Sequence, residues 1–255
     1  MNILIRGGGD IASGVALRLH RTGHHVFITE LPQPLAVRRT VSFAETVYEG
    51  EWAVEEVMSR RAESMTQAVE FSQSGFIPVL VAPELDTVTL DYAVLVDARL
   101  KKAVANYRLA RQPLIIGLGP GFTSGGNCHA VIETNRGHTL GRVYWNGSAQ
   151  TDTATPEGDP RRVLRASTDG VVVAQAEIGQ HVEAGQVVAS VAGEPVRSPF
   201  KGVVRGLIHP GLSVSKGLKI GDIDSRDDPN LCRLVSDKAL AVGGGVLEAI
   251  LGNRL

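Results

Sequence analysis

The chain has 255 residues, of which 43% are hydrophobic and 21% charged. That suits one large globular domain or two to three small ones, not a disordered or fibrous chain. A net charge of −1 provides no global field that would draw the chain to nucleic acid or anionic lipid. No run of roughly 18 apolar residues is present to span a bilayer. The first stretch, a strand broken by Arg6 and three glycines, is not a secretory signal. Two cysteines, Cys128 and Cys232, make no disulfide framework, so a cytoplasmic, reducing location is expected.

The opening stretch carries the strongest local pattern. Asn2–Arg6 is an apolar run, Gly7-Gly8-Gly9-Asp10-Ile11-Ala12 is a glycine loop, and Ile11, Val15 and Leu19 then recur at helical spacing. Gly7, Gly9 and Ala12 fit G-x-G-x-x-G/A. The first glycine turns the strand, the second lets backbone approach a phosphate, and the small third residue lets helix and strand pack. The helix start offers free N–H groups and a partial positive charge. Asp10 opposes this, because it can cap those N–H groups itself and would repel a pyrophosphate. After Gly23, residues 25–29 read as a second strand ending at Glu30, about 20 residues past the glycines, where a ribose hydroxyl pair would find an acid.

Beyond Pro32 and Pro34, residues 35–48 read as helical, with Arg38 and Arg39 on its first turns; Arg38 is a candidate phosphate contact, the alternative being a solvated face. Trp52–Val57 is ambiguous between strand and helix. Thr66–Phe71 reads as helix, Ile77–Val81 and Tyr92–Val96 as strands, the latter ending at Asp97 and followed by Lys101 and Lys102. Residues 99–110 read as helix and Leu114–Ile116 as strand. Apolar strands separated by helical patterns predict a parallel sheet covered on both faces, with ligands at the carboxyl ends of the strands. Three groups fall at such ends: the Gly7 loop, Asp97, and the loop containing Gly119 and Gly121. They are expected to converge.

A dense polar stretch follows, from Phe122 to His138. Cys128 beside His129 raises the alternative of a reactive thiolate, and His129, Glu133 and His138 are metal-ligand types. Their spacing matches no zinc signature, and alternation along a strand would place Cys128 and His129 on opposite faces. The reading preferred for the stretch is a polar wall of the ligand site. Residues 146–160 read as a linker, closing a first domain at 145.

Residues 161–223 repeat themselves. Gly170-Val171-Val172 matches Gly202-Val203-Val204, and Gly179, Gly185 and Val188 match Gly211, Gly217 and Ile220, all at one offset of 32 positions. The pattern is similar to the half-repeat of lipoyl and biotinyl domains. The tip between the copies, residues 192–196, holds no lysine, so a docking or lid module is expected instead of a swinging carrier. Residues 224–255 read as a helical segment interrupted by Gly243-Gly244-Gly245. The expected fold class is therefore α/β: a Rossmann-like parallel-sheet domain, a lipoyl-like barrel-sandwich module and a terminal helix.

Several longer stretches carry a family resemblance: residues 5–14, Thr29–Pro34 with Arg38–Phe43, Leu95–Ala98, Gly117–Phe122, Glu133–His138 and Gly243–Ile250. Over nearly its full length the chain resembles the YqeB-type accessory proteins of selenium-dependent molybdenum hydroxylase systems. The resemblance implies a bacterial cytoplasmic protein that helps mature a molybdenum hydroxylase, by cofactor handling or labile selenium insertion. Asp10 belongs to that family's pattern, so the ligand of the loop need not be a nicotinamide dinucleotide.

The expected function is an accessory factor that holds an anionic small molecule at Gly7, Gly8, Gly9, Asp10, Ile11 and Ala12. The molecule is a molybdopterin-type cofactor or a dinucleotide. Glu30 would take a hydroxyl, Arg38 would add charge, and Asp97, Gly119, Gly121, Cys128 and His129 would complete the site. Partners would be a molybdenum hydroxylase or a selenium donor protein, with neither nucleic acid nor membrane. Two alternatives stand beside it: an NAD(P)-dependent oxidoreductase, for which no acid/base constellation is evident, and a non-enzymatic docking scaffold.

Overall fold

A computed structural model of the chain describes residues 1–100, 107, 109, 113–151 and 159–253. Two units emerge: Met1–Pro34, Ser42–Thr153 and Val235–Leu255 form the first, and Leu35–Val41 with Ala154–Leu234 the second.

In the first unit the apolar run Asn2–Arg6 is a buried strand, β1. The helical pattern after the glycines is α1 (Asp10–Arg21), with Ile11, Val15 and Leu19 facing the core, as a 3.6-residue period requires. Gly23 (φ 82°) reverses the chain into β2 (His25–Glu30), parallel to β1. The helix expected over 35–48 is absent. Short 3-10 turns at Arg39–Val41 and Phe43–Glu45 and a single helical turn, α2 (Thr46–Glu49), stand in its place. Trp52–Val57 is neither simple strand nor helix but a hairpin. β3 (Glu51–Val54) turns at Glu55 (φ 52°) into antiparallel β4 (Val57–Ala62). α3 (Met65–Gln73) starts at Ser64, whose side chain accepts the Gln67 N–H, the usual N-cap bond. It leads to β5 (Ile77–Val81), and then come β6 (Val94–Asp97) and β7 (Leu114–Leu118). The helix expected over 99–110, with Lys101 and Lys102, lies largely outside the described residues. Short strands β8 (Thr123–Ser124), β9 (Ala130–Ile132), β10 (Val143–Tyr144) and β11 (Gly147–Ser148) follow.

Nine of these strands form one sheet in the order β10-β9-β7-β6-β1-β2-β5-β4-β3. The expected all-parallel sheet is corrected: the sheet is mixed, antiparallel at both margins, β3 against β4 and β9 against β10. The cause lies in the connections. Parallel neighbours need a long crossover, usually helical, while a short turn permits only an antiparallel partner. α1 supplies such a crossover between β1 and β2, and α3 between β4 and β5. Glu55-Glu56 does not.

The last element, α4 (Asp237–Leu251), belongs to this unit and packs on α1. Gly243–Gly245 do not interrupt it, which corrects the reading from sequence. A Cβ on Gly14 of α1 would lie 2.7 Å from the Ala239 carbonyl carbon, and one on Gly243 would lie 2.8 Å from the Gly14 oxygen. Gly245 lies against the Gly141 carbonyl in the same way. Each helical glycine costs about 1 kcal/mol relative to alanine, offset here by backbone-to-backbone contact.

The second unit holds the repeat. Its strands are β12 (Val163–Arg165), β13 (Gly170–Ala174), β14 (His181–Val182), β15 (Val187–Val191), β16 (Glu194–Arg197), β17 (Gly202–Leu207), β18 (Ser213–Val214) and β19 (Lys219–Asp224). The copies exchange their short strands: β14 of the first pairs with β17 of the second, and β18 of the second with β13 of the first. The pairing gives two four-stranded antiparallel sheets, β12-β19-β17-β14 and β16-β15-β13-β18. The expected fold class, a Rossmann-like parallel domain with a lipoyl-like barrel module and a separate terminal helix, is thus overturned. One mixed sheet, two antiparallel sheets and a helix packed into the first unit replace it. Among the described residues no helix is long and apolar enough to cross a membrane.

Candidate functional site at the carboxyl edge of the mixed sheet

Four neighbouring strands, β2, β1, β6 and β7, run parallel, and their carboxyl ends are in register. Arg6 stands opposite Thr29 and Asp97, and Asp97 opposite Gly117. The Gly7 loop, Glu30, Asp97 and the loop after β7 therefore meet along one edge, as expected.

Gly7 (φ 94°) makes the turn, and its N–H donates to the Thr29 carbonyl at 2.8 Å. The Gly8 N–H donates to Glu30 Oε2 at 2.6 Å, while Glu30 Oε1 accepts from Leu31 N–H at 2.7 Å. Burial pushes the Glu30 carboxyl above its ordinary value, against the two backbone donors that favour the charged form. The Gly8 carbonyl accepts from Ala44 N–H at 2.8 Å and from the Ser13 hydroxyl at 3.1 Å. A Cβ at Gly8 would sit 2.9 Å from the Ala44 nitrogen, so internal packing demands that glycine. Asp10 Oδ1 accepts from Ile11 N–H at 3.0 Å, and Ile11 and Ala12 are buried in the core. These two anchor the helix and do not face the loop's exterior.

Gly9 is different. Its backbone (φ −65°, ψ 179°) is ordinary extended geometry, it caps α1 without a side-chain bond, and a Cβ there would meet nothing within 4 Å. Serine or aspartate would cap the helix better. Among the described residues no contact asks for glycine at this position.

Beside the loop lies a polar cluster. Asp97, almost fully buried, accepts from Arg99 Nε at 2.9 Å and Nη2 at 2.5 Å, and from the Tyr107 hydroxyl at 2.7 Å. Arg6 donates to the Tyr107 oxygen at 2.9 Å and to the Pro83 carbonyl at 2.8 Å. Burial raises the Asp97 carboxyl, but the Arg99 and Tyr107 hydrogen bonds outweigh it and hold it below the usual range. Burial, reinforced by the Asp97 charge, pushes the Tyr107 phenol up to about 12, so it acts as a neutral donor. Arg99 also lies over Gly7, whose Cβ would be 3.4 Å from Arg99 Cγ. Two guanidinium groups thus stand at a glycine corner, Arg99 on Asp97 and Arg6 3.7 Å from the exposed Glu84 carboxylate, with Glu30 on the Gly8 N–H beside them. Arg6 and Arg99 were missed in the sequence, although an arginine ending an apolar strand just before the glycines was a usable signal. Tyr107, ten residues beyond Asp97, carried none.

Other expected site residues do not reach this edge as open groups. Gly119 (φ 75°) donates to the Ile132 carbonyl at 2.9 Å, and a Cβ there would meet Thr134 Oγ1 at 2.5 Å. The Gly121 carbonyl accepts from Asn127 Nδ2 at 3.0 Å. That loop is tied to its own chain. Cys128 is fully buried and its thiol is pushed up to about 12 by burial, which corrects the alternative of a reactive thiolate. His129 Nδ1 accepts the Ile115 N–H at 2.9 Å. His129 thus sits beside the amino end of β7, while the buried Cys128 thiol lies in the core against the Gly117 backbone. Arg38 is buried in the second unit, where its Nη2 donates to the Leu231 and Leu234 carbonyls at 3.3 and 3.0 Å. The expected phosphate contact by Arg38 is corrected, because the chain leaves the first unit at residue 35.

No protein-family model matches the chain. Among solved structures it is similar to an aspartoacylase family protein from Mesorhizobium loti, at 13% identity and a TM-score of 0.29, covering 87% of this chain and 84% of that one. A succinylglutamate desuccinylase from a Silicibacter species follows at 16% identity and a TM-score of 0.27, with the same coverages. The ectoine utilization protein EutE of Ruegeria pomeroyi gives 14% and 0.27, covering 87% and 86%. Among curated proteins the chain is 46% identical over 254 residues to the uncharacterized protein YqeB of Escherichia coli strain K12. That alignment takes in 98% of this chain and 47% of YqeB, so the chain spans about half the length of the relative it matches. Over that shared span the chain is similar to YqeB.

Proposed function

We propose that the protein is an accessory factor in the maturation of a selenium-dependent molybdenum hydroxylase. In this reading it holds an anionic cofactor or nucleotide-like ligand, such as a molybdopterin-type cofactor, at the Gly7 loop. Gly9 carries the proposal. A glycine with unstrained extended backbone and, among the described residues, open space where a Cβ would stand lets a phosphate-bearing group approach the helix start. Arg99 and Arg6 would face the ligand's charge.

Gly9→Val tests this, using inorganic pyrophosphate and ADP as probes in calorimetry. A Cβ at this position meets nothing within 4 Å among the described residues and the change weakens the N-cap by roughly 1 kcal/mol or less, so the Tm should stay within a few degrees of the parent. Binding should fall about tenfold or more. Equal binding by Gly9→Val and the parent, or no binding by the parent, would overturn the proposal.

A further inference from the structure

Within the second unit, a cleft of about 380 Å³ opens between two turns. One wall is the turn Glu177–Gln180. It is held by Gly179 N–H on the Val204 carbonyl at 2.8 Å and by Val204 N–H on the Gln180 carbonyl at 2.9 Å. The other wall is Pro229–Arg233. Arg38 donates to its Leu231 carbonyl, the Thr40 hydroxyl donates to its Cys232 carbonyl at 2.6 Å, and Asp228 caps its start on Asn230 N–H at 2.9 Å. Both walls are therefore fixed before any ligand arrives, and the volume lies in the range of small-molecule sites.

The polar groups lining the cleft are largely uncommitted. Among the described residues the Glu177 carboxylate and the Arg233 guanidinium make no hydrogen bond or ion pair, with each other or with any other group. The Gln180 amide accepts from Glu177 N–H at 3.0 Å through its oxygen, which leaves its nitrogen free to donate. A carboxylate and a guanidinium on one small cleft, not bonded together, ask for a ligand carrying both opposite charges. We infer that this cleft is a binding site for a small zwitterion of the amino-acid class. The ligand's carboxylate lies on Arg233 and Gln180, its ammonium on Glu177, and its side chain over Ile178 and Pro229. This inference is independent of the role given to the Gly7 loop.

The test is NMR titration of the intact protein with glycine, L-serine and L-glutamine, with acetate and methylammonium as single-charge controls. The expected result is saturable shifts of the Glu177–Gln180 and Arg233 amides by at least one amino acid, with each control at least about tenfold weaker. Arg233→Gln and Glu177→Gln should each weaken the amino acid by about tenfold or more at unchanged Tm. Absence of saturation up to millimolar concentrations overturns the proposal. So does acetate or methylammonium binding as well as the amino acid, or indifference to either substitution. Because both side chains are exposed, unfolding of the variants is not a competing outcome; Gly9→Val should leave these titrations unchanged.

Discussion

Cys128 and Cys232 are both buried, and burial raises both thiols, Cys128 to about 12. A thiol is nucleophilic as its thiolate, so neither should react in the folded protein. Iodoacetamide at pH 8 should leave the intact mass unchanged for the native protein and add two labels in denaturant. A single native label at Cys128 would restore it as a functional thiol. Gly14 makes a sharper case for packing. Its missing Cβ would lie 2.6 Å from the Ala239 Cβ, so Gly14→Ala should destabilise by roughly 1–3 kcal/mol through overpacking, read from urea midpoints. Gly9→Val should not. At this scale the sequence showed which positions were glycine but not why. Gly8, Gly14 and Gly9 look alike as letters, and only the neighbours at 2.9 Å, at 2.6 Å and none within 4 Å tell them apart.

Among elements, the end of β19 shows how charge and pH meet. Arg226, bonded to Asp224 at 2.6 Å, with Arg205 at 3.7 Å, holds the Asp224 carboxyl at about 2 against an ordinary 3.8. As pH falls the unfolded chain takes up this proton first. The stability from Asp224 is therefore complete above about pH 4 and lost as pH drops toward about 2. Asp224→Asn should flatten the stability-versus-pH curve in that window, measured by urea unfolding at each pH; an unchanged slope would contradict the assignment. The β1–α1–β2 corner was legible because a strand, a glycine loop and a helical period coincide in one contiguous stretch, Asn2–Glu30. Residues 35–48 misled because apolar spacing mimicked a helix where the chain is changing units, and local period is blind to that. Gly243–Gly245 misled because helix-breaking propensity yields to close contact with α1.

For the molecule as a whole, Leu35–Val41 belongs to the second unit while both its flanks belong to the first. Arg38 fastens that segment to residues 231 and 234. Arg38→Ala leaves two carbonyls without their buried donor, at a cost on the order of 1–3 kcal/mol. Hydrogen exchange should accelerate over residues 229–234 while β1, β2 and β6 keep their protection. Uniform acceleration throughout would show the effect is not local to the second unit. No stretch of sequence announces this arrangement, since the partners lie 193 and 196 positions apart.

The same threading governs how the protein is made. The second unit needs residues near 38 and near 231, and the first needs α1 joined by α4. A ribosome that has delivered only the first 150 residues has finished neither. The nascent chain must wait with the α4-facing glycine groove of α1 bare and Arg38 without its carbonyls; the second unit can close once residues near 231 have emerged, the first only after α4 has followed.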